Sequence, residues 1–273
     1  MITLLTGDHL RHKYLADSFS KIFDDLIWII EKREKFIPNI DKNFNTEIKK
    51  LQKTHFEKRQ YAENEFFTSK AGDLSKNQIS QIFEINQEDF FNGKLKKILM
   101  KTNSKFLISY GVHKIPANIL KDLKGYKWNV HGGLSPWYKG AITHFWPSYM
   151  LEPEYTGMTL HETSKDIDGG NIIHQSISKL NINDGIHQNA CRVVKSFSDK
   201  LPKLLYKNIK KKNKLIGIKS KTSGRIWTKK MWSPLHLKII YNIYEDKINK
   251  YCMENKKIIK PKIKSILKKR HTN

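Results

Sequence analysis

Asn129 and His131 stand two residues apart in the run Asn129-Val130-His131-Gly132-Gly133-Leu134-Ser135-Pro136-Trp137-Tyr138-Lys139-Gly140. Downstream lies Thr159-Leu160-His161, and after six further residues Asp168-Gly169-Gly170. On a strand, residues i and i+2 share a face, so the Asn129 amide and the His131 imidazole project together. An amide donor, an imidazole and a carboxylate suit polar acyl chemistry. The amide donates to an oxygen that becomes negative, and the imidazole does the same when protonated or moves a proton. The carboxylate keeps the ring charged and positions a water. No Ser, Cys or Lys nucleophile is required, so the pattern accommodates direct attack by a substrate amine. Spacing alone leaves the plainer reading open, with His131 a turn histidine and Asp168-Gly169 an ordinary turn.

Such residues meet only where a sheet edge gathers them. Ile2–Leu5 is an apolar run that stops at Thr6-Gly7-Asp8, and Leu10, Tyr14, Leu15, Phe19, Ile22 and Phe23 follow at helical spacing. Leu26–Ile30 and Phe106–Tyr110 read as buried strands, and Thr156–His161 and Asn171–Ile177 as two more around the Asp168 turn. Residues 45–67 suit a long, largely exposed helix, 68–79 a loop, 90–100 a helix, and 184–212 one helix or two broken near Pro202. Strands alternating with helices predict an α/β sheet with crossover connections. At its carboxyl edge such a sheet binds ligands. The turn after the first strand lacks a Gly-x-Gly-x-x-Gly pattern, which disfavours a dinucleotide. Arg11 and His12, at the start of the first helix, could hold a substrate phosphate or could be solvated helix residues. Trp137 and Tyr138 could stack on an acceptor or simply pack.

The chain has 273 residues, 51 of them Lys or Arg and 26 Asp or Glu, for a formal charge of +25. Only six of the basic residues are Arg, the side chain suited to bidentate recognition of phosphate and guanine. Residues 201–273 carry 22 basic residues against three acids, so +19 of the charge lies in that quarter. This sets a division at residues 1–200 and 201–273. Within the second part, 217–227 reads as a hairpin around Thr222-Ser223-Gly224, 233–251 has helical spacing, and 256–273 reads as frayed. No apolar run reaches membrane-spanning length, no secretory leader is read, and two lone cysteines exclude a disulfide framework or a zinc site. A cytoplasmic protein is expected.

The spaced residues resemble the folate-dependent formyltransferases, a family that includes methionyl-tRNA, glycinamide ribonucleotide and amino-sugar N-formyltransferases. Its core motif, Asn-x-His-x-Ser-Leu-Leu-Pro-x-x-x-Gly, is held here by Asn129, His131, Leu134, Pro136 and Gly140. The motif that follows, Gly-x-Thr-x-His and then Asp before Gly, is held by Gly157, Thr159, His161, Asp168 and Gly170. Gly133 replaces the family's Ser, and Ser135 its second Leu. The resemblance spans roughly residues 1–200 and implies a Rossmann-like, mostly parallel sheet with helices on both faces. Residues 201–273 then form a short, basic, mainly helical extension. It implies Asn129, His131 and Asp168 as the catalytic trio, with His131 protonated and His161 either structural or catalytic. The co-substrate implied is 10-formyltetrahydrofolate, with no metal. Its pterin would lie on the loop Tyr110-Gly111-Val112-His113-Lys114-Ile115-Pro116, with Tyr110, Gly111, Lys114 and Ile115 in contact. The loop 163–167, including Asp166, would close the other side.

The acceptor expected is a small phosphate-bearing amine, foremost an amino-sugar nucleotide. Methionyl-tRNA is the alternative through the basic extension, then glycinamide ribonucleotide, or hydrolysis of the formyl-folate itself. Against tRNA, such enzymes carry a β-barrel of about a hundred residues where this chain has 73. A homodimer is compatible with the sequence, as is a catalytically silent RNA-binding module.

Overall fold

A computed structural model describes residues 1–32, 42–71 and 79–268. The chain runs β1 (Ile2–Gly7), α1 (Leu10–Ser20), β2 (Leu26–Glu31), α2 (Thr46–Ala71), β3 (Ile79–Ile85), α3 (Lys94–Thr102), β4 (Phe106–Tyr110), α4 (Ala117–Asp122) and β5 (Tyr126–His131). It continues with β6 (Lys139–Gly140), α5 (Trp146–Tyr149), β7 (Gly157–Glu162), β8 (Ile172–Ile177), α6 (Ile186–Lys210), β9 (Ile226–Trp227) and α7 (Ile248–Asn255). Seven strands form one sheet in the order β3-β2-β1-β4-β5-β7-β8. The first five are parallel, and β7 and β8 are antiparallel to their neighbours. The expected α/β architecture is therefore present. Between β1 and β4 the strand order reverses direction across the sheet, and at the carboxyl edge of such a switch point open α/β sheets form their ligand-binding crevice.

Burial on both faces explains why the strands read as continuous apolar runs. Period-two alternation sends Leu4, Trp28 and Ile108 to one core with Phe19, Ala62, Phe67, Phe197 and Leu201 of α1, α2 and α6. It sends Leu5, Ile27, Ile29 and Leu107 to the other, against Leu95, Leu99 and Ile119 of α3 and α4. Helix α2 is less exposed than its charge suggested, since Ile48, Gln52, His55, Ala62 and Phe67 are buried along one stripe. Asn45 Oδ1 caps its start by accepting from Ile48 N at 3.0 Å. Helix α6 is one helix and runs through Pro202. An interior proline costs about 3 kcal/mol. Burying Val194, Phe197, Leu201 and Leu205, at about 1.5–3 kcal/mol each, outweighs that. The edge strand β3 was not expected from the sequence, and the loop expected over 68–79 falls mostly on residues 72–78, outside those described.

Residues beyond α6 fold back on the sheet. The hairpin expected over 217–227 does not form. Ile226-Trp227 instead pairs in parallel with Lys139-Gly140, and Ile218 bridges Ile172. The Trp227 ring decides this, stacked on Trp146 at 4.6 Å and on Tyr138 at 5.6 Å. The stretch 233–251 breaks into a 3-10 turn, a π turn (Ile239–Ile243) and α7. The break serves Asp246, whose Oδ1 accepts from Ile186 N at 3.0 Å and so caps α6. The tail is docked rather than frayed through Lys268: Gln175 N donates to Lys264 O and Ile266 N to Ile173 O, both at 2.9 Å. Residues 269–273 lie outside those described. Among the described residues no helix is long and apolar enough to cross a membrane.

Candidate active site

Three adjacent strands lay out a row of polar side chains. Ser109 of β4 is the register partner of Asn129 in β5, and Asn129 is the partner of His161 in β7. Directly opposite residues share a face of the sheet. The Ser109 hydroxyl donates to Asn129 Oδ1 at 2.8 Å, which turns Asn129 Nδ2 toward His161 Nε2 at 3.3 Å. His131, two residues along β5, has Nε2 2.8 Å from Tyr138 O and Nδ1 3.2 Å from Asp168 Oδ2. Asp168 sits in the left-handed region at φ 45° on the turn between β7 and β8. Its Oδ1 is 3.3 Å from His161 Nε2, and its Oδ2 accepts from Gly140 N at 2.8 Å. The structure therefore gathers Asn129, His131 and Asp168, and His161 is the side chain that joins the amide to the carboxylate.

His131 meets acceptors at both nitrogens, Tyr138 O and Asp168, while His161 has Nδ1 2.8 Å from Glu162 O and Nε2 between the Asn129 amide and Asp168. A neutral ring carries one N–H, so a neutral His131 donates to only one of its two acceptors. Burial pushes the His131 ring below its ordinary value, and Asp168 and the Tyr138 carbonyl pull it back only in part. For Asp168, burial pushes upward, but the hydrogen bond from His161, the His131 ring and the Gly140 N–H prevail and hold it below the usual carboxylate range. The resting arrangement is thus a neutral His131 beside an ionised Asp168. Gly133, the departure from the family motif, has a steric role here, because a Cβ would lie 2.4 Å from His131 Nε2.

The other candidate residues fall into distinct places. Tyr110 and Ile115 are 5% and 6% exposed, and Gly111 turns the chain at φ 65°. Lys114 Nζ donates to Lys165 O at 3.2 Å, so the loop 110–116 is tied to the loop carrying Asp166, which is exposed. Glu31 anchors the first loop, accepting from His113 N at 2.9 Å and pairing with the His113 ring. His12 is 1% exposed, and its ring fills the space beside Gly7 and Gly111 against Tyr110. It lies behind the loop, not in the crevice, which corrects its expected reach to a phosphate. Arg11 pairs with Glu63 at 2.6 Å. Tyr138 is 3% exposed, and its hydroxyl donates to Glu152 Oε2 at 2.6 Å, so it packs rather than facing a ligand. Trp137 keeps 37% exposure.

No family model matches the chain, and no curated protein matches it. Solved structures do. An N-formyltransferase from Helicobacter canadensis, in complex with folinic acid and dTDP-3-aminofucose, shares 22% identity at a TM-score of 0.52, over 89% of this chain and 82% of that one. A phosphoribosylglycinamide formyltransferase from Anaplasma phagocytophilum shares 16% at 0.54, over 84% and 97%. The chain has the formyltransferase fold. A 4-N formyltransferase from Francisella tularensis has it as well, at 17% identity and a TM-score of 0.52 over 84% and 76%. On this fold the sequence reading missed Ser109, the Gly140 N–H and the Tyr138 carbonyl. None carries a local signal, because each depends on which strand or loop lies alongside.

Proposed function

We propose that the protein transfers the formyl group of 10-formyltetrahydrofolate to the amine of a nucleotide-linked amino sugar. The observation that carries this reading is Asp168 joining His131 and His161 beside the Asn129 amide at the carboxyl edge of a formyltransferase fold. The pairing of folinic acid with an amino-sugar nucleotide in the Helicobacter canadensis enzyme supports the choice of partners. The residues present fit a folate. Loops 110–116 and 163–168 flank the trio, and the Lys114–Lys165 contact and Glu31 hold the first loop in place.

Bound there, the folate supplies an activated formyl group. Asn129, its carbonyl oxygen held by Ser109, presents Nδ2 hydrogens to the charge that builds on the formyl oxygen as the amine attacks. The proton lost by the amine passes to the Asp168–His131 pair and from there to the folate nitrogen, which leaves as its bond to the formyl carbon breaks. Within the pair the imidazolium forms between two acceptors already in place, the Asp168 carboxylate and the Tyr138 carbonyl. His161 holds the other Asp168 oxygen and keeps the carboxylate in line. Asp168→Asn and His131→Ala, with folding checked by circular dichroism, are expected to lower kcat by about 10²–10³. Near-normal formyl transfer in either variant would overturn the reading.

A further inference from the structure

Two guanidiniums share one carboxylate beside the crevice. Arg11, in the first turn of α1, places Nη1 2.6 Å from Glu63 Oε1, and Arg59 of α2 places Nε 3.1 Å from the same oxygen. The cluster carries one uncompensated positive charge. Among the described residues Arg59 is hydrogen-bonded only through Nε, so its two terminal amino groups remain to form a fork. Its side chain keeps 39% exposure against 20% for Arg11 and 15% for Glu63, so the fork can be reached from solvent. Burial and then Arg11 push the Arg59 guanidinium below its ordinary value, a strain that a bound anion would relieve.

The cluster is also close to the chemistry. Helix α1 starts where β1 ends at the switch point, and its His12 packs on Tyr110 and Gly111. His144, whose ring lies 3.3 Å from where a Gly132 Cβ would stand, is held at about 4 chiefly by burial, with His131, Arg11 and Arg59 adding.

We propose that Arg59, with Arg11 behind it, is the subsite that takes the diphosphate of the acceptor. This rests on the formyl-transfer reading for the acceptor's identity but not for the anion chemistry. A planar fork matches two phosphoryl oxygens at once, which a lysine cannot do.

The test is calorimetric titration of the full chain with inorganic pyrophosphate and with UDP. The native protein is expected to bind both, Arg59→Gln to lose at least tenfold in affinity, and Arg59→Lys to recover only part of it. Folate affinity is expected to stay unchanged in both variants. Equal affinity in Arg59→Gln, or no binding of either probe by the native protein, overturns the proposal. If no amino sugar is formylated while the Arg59-dependent diphosphate binding persists, the subsite stands and the formyl-transfer reading fails. Formylation of an amino-sugar nucleotide by Arg59→Gln with an unchanged KM would sink the subsite alone.

Discussion

Ser109 shows how a single hydroxyl can orient a neighbouring amide. It is 4% exposed and donates to Asn129 Oδ1, so the amide has one orientation rather than two. Ser109→Ala removes one net hydrogen bond, about 1 kcal/mol, and frees the amide to turn. In a formyl-transfer assay kcat is expected to fall about fivefold to tenfold with the folate KM unchanged, and Ser109→Thr to restore most of it. An Ala variant with native kcat would show that Asn129 is held by other means. Asn129, His131 and Asp168 were legible in the sequence because their types and spacing recur as a pattern. Ser109 was not legible, because Asn129 meets it only through the β4–β5 register, and His161, whose role the sequence left open, reaches Asn129 only through the β5–β7 register. No local pattern encodes which strand lies beside which.

Strand β8 is the last of the seven, and a bare last strand invites pairing with another chain. Here the tail covers it: Lys264, Ser265 and Ile266 contact Gln175, His174 and Ile173, and Leu267 is 3% exposed. Truncation after Lys256 is expected to lower Tm by several degrees and to produce concentration-dependent association in light scattering. A truncated chain that stays monomeric at the native Tm would show the cover to be dispensable. The strands and long helices were legible because burial on two faces writes them as apolar runs. The tail was not, because its lysine-rich composition reads as solvated chain while its apolar residues Ile266 and Leu267 pack on the core.

Buried imidazoles, His55, His174 and His187 foremost, shape the whole molecule's response to acid. Burial holds His55 and His174 at about 3 and His187 well below 6.5. The unfolded chain takes up these protons first, so stability is complete above pH 6.5 and falls as pH drops toward the folded values. Each ring costs about 1.4 kcal/mol per pH unit in that window. Denaturant midpoints are expected to drop steeply between pH 6.5 and 5, and His174→Gln to make the slope shallower by one proton. A midpoint flat across that range would contradict the assignment. The charge of +25, the most conspicuous feature of the composition, belongs largely to a segment that folds onto the site it follows. Pairing of Ile226-Trp227 with Lys139-Gly140 leaves no room for a Cβ at Gly140, which would sit 2.2 Å from Trp227 O, and the Gly140 amide in turn holds Asp168. During synthesis, then, Asn129, His131 and Asp168 leave the ribosome well before their clasp does. The nascent chain then carries all three side chains while still lacking the strand that braces them, and the arrangement is complete only once Ile226-Trp227 has emerged.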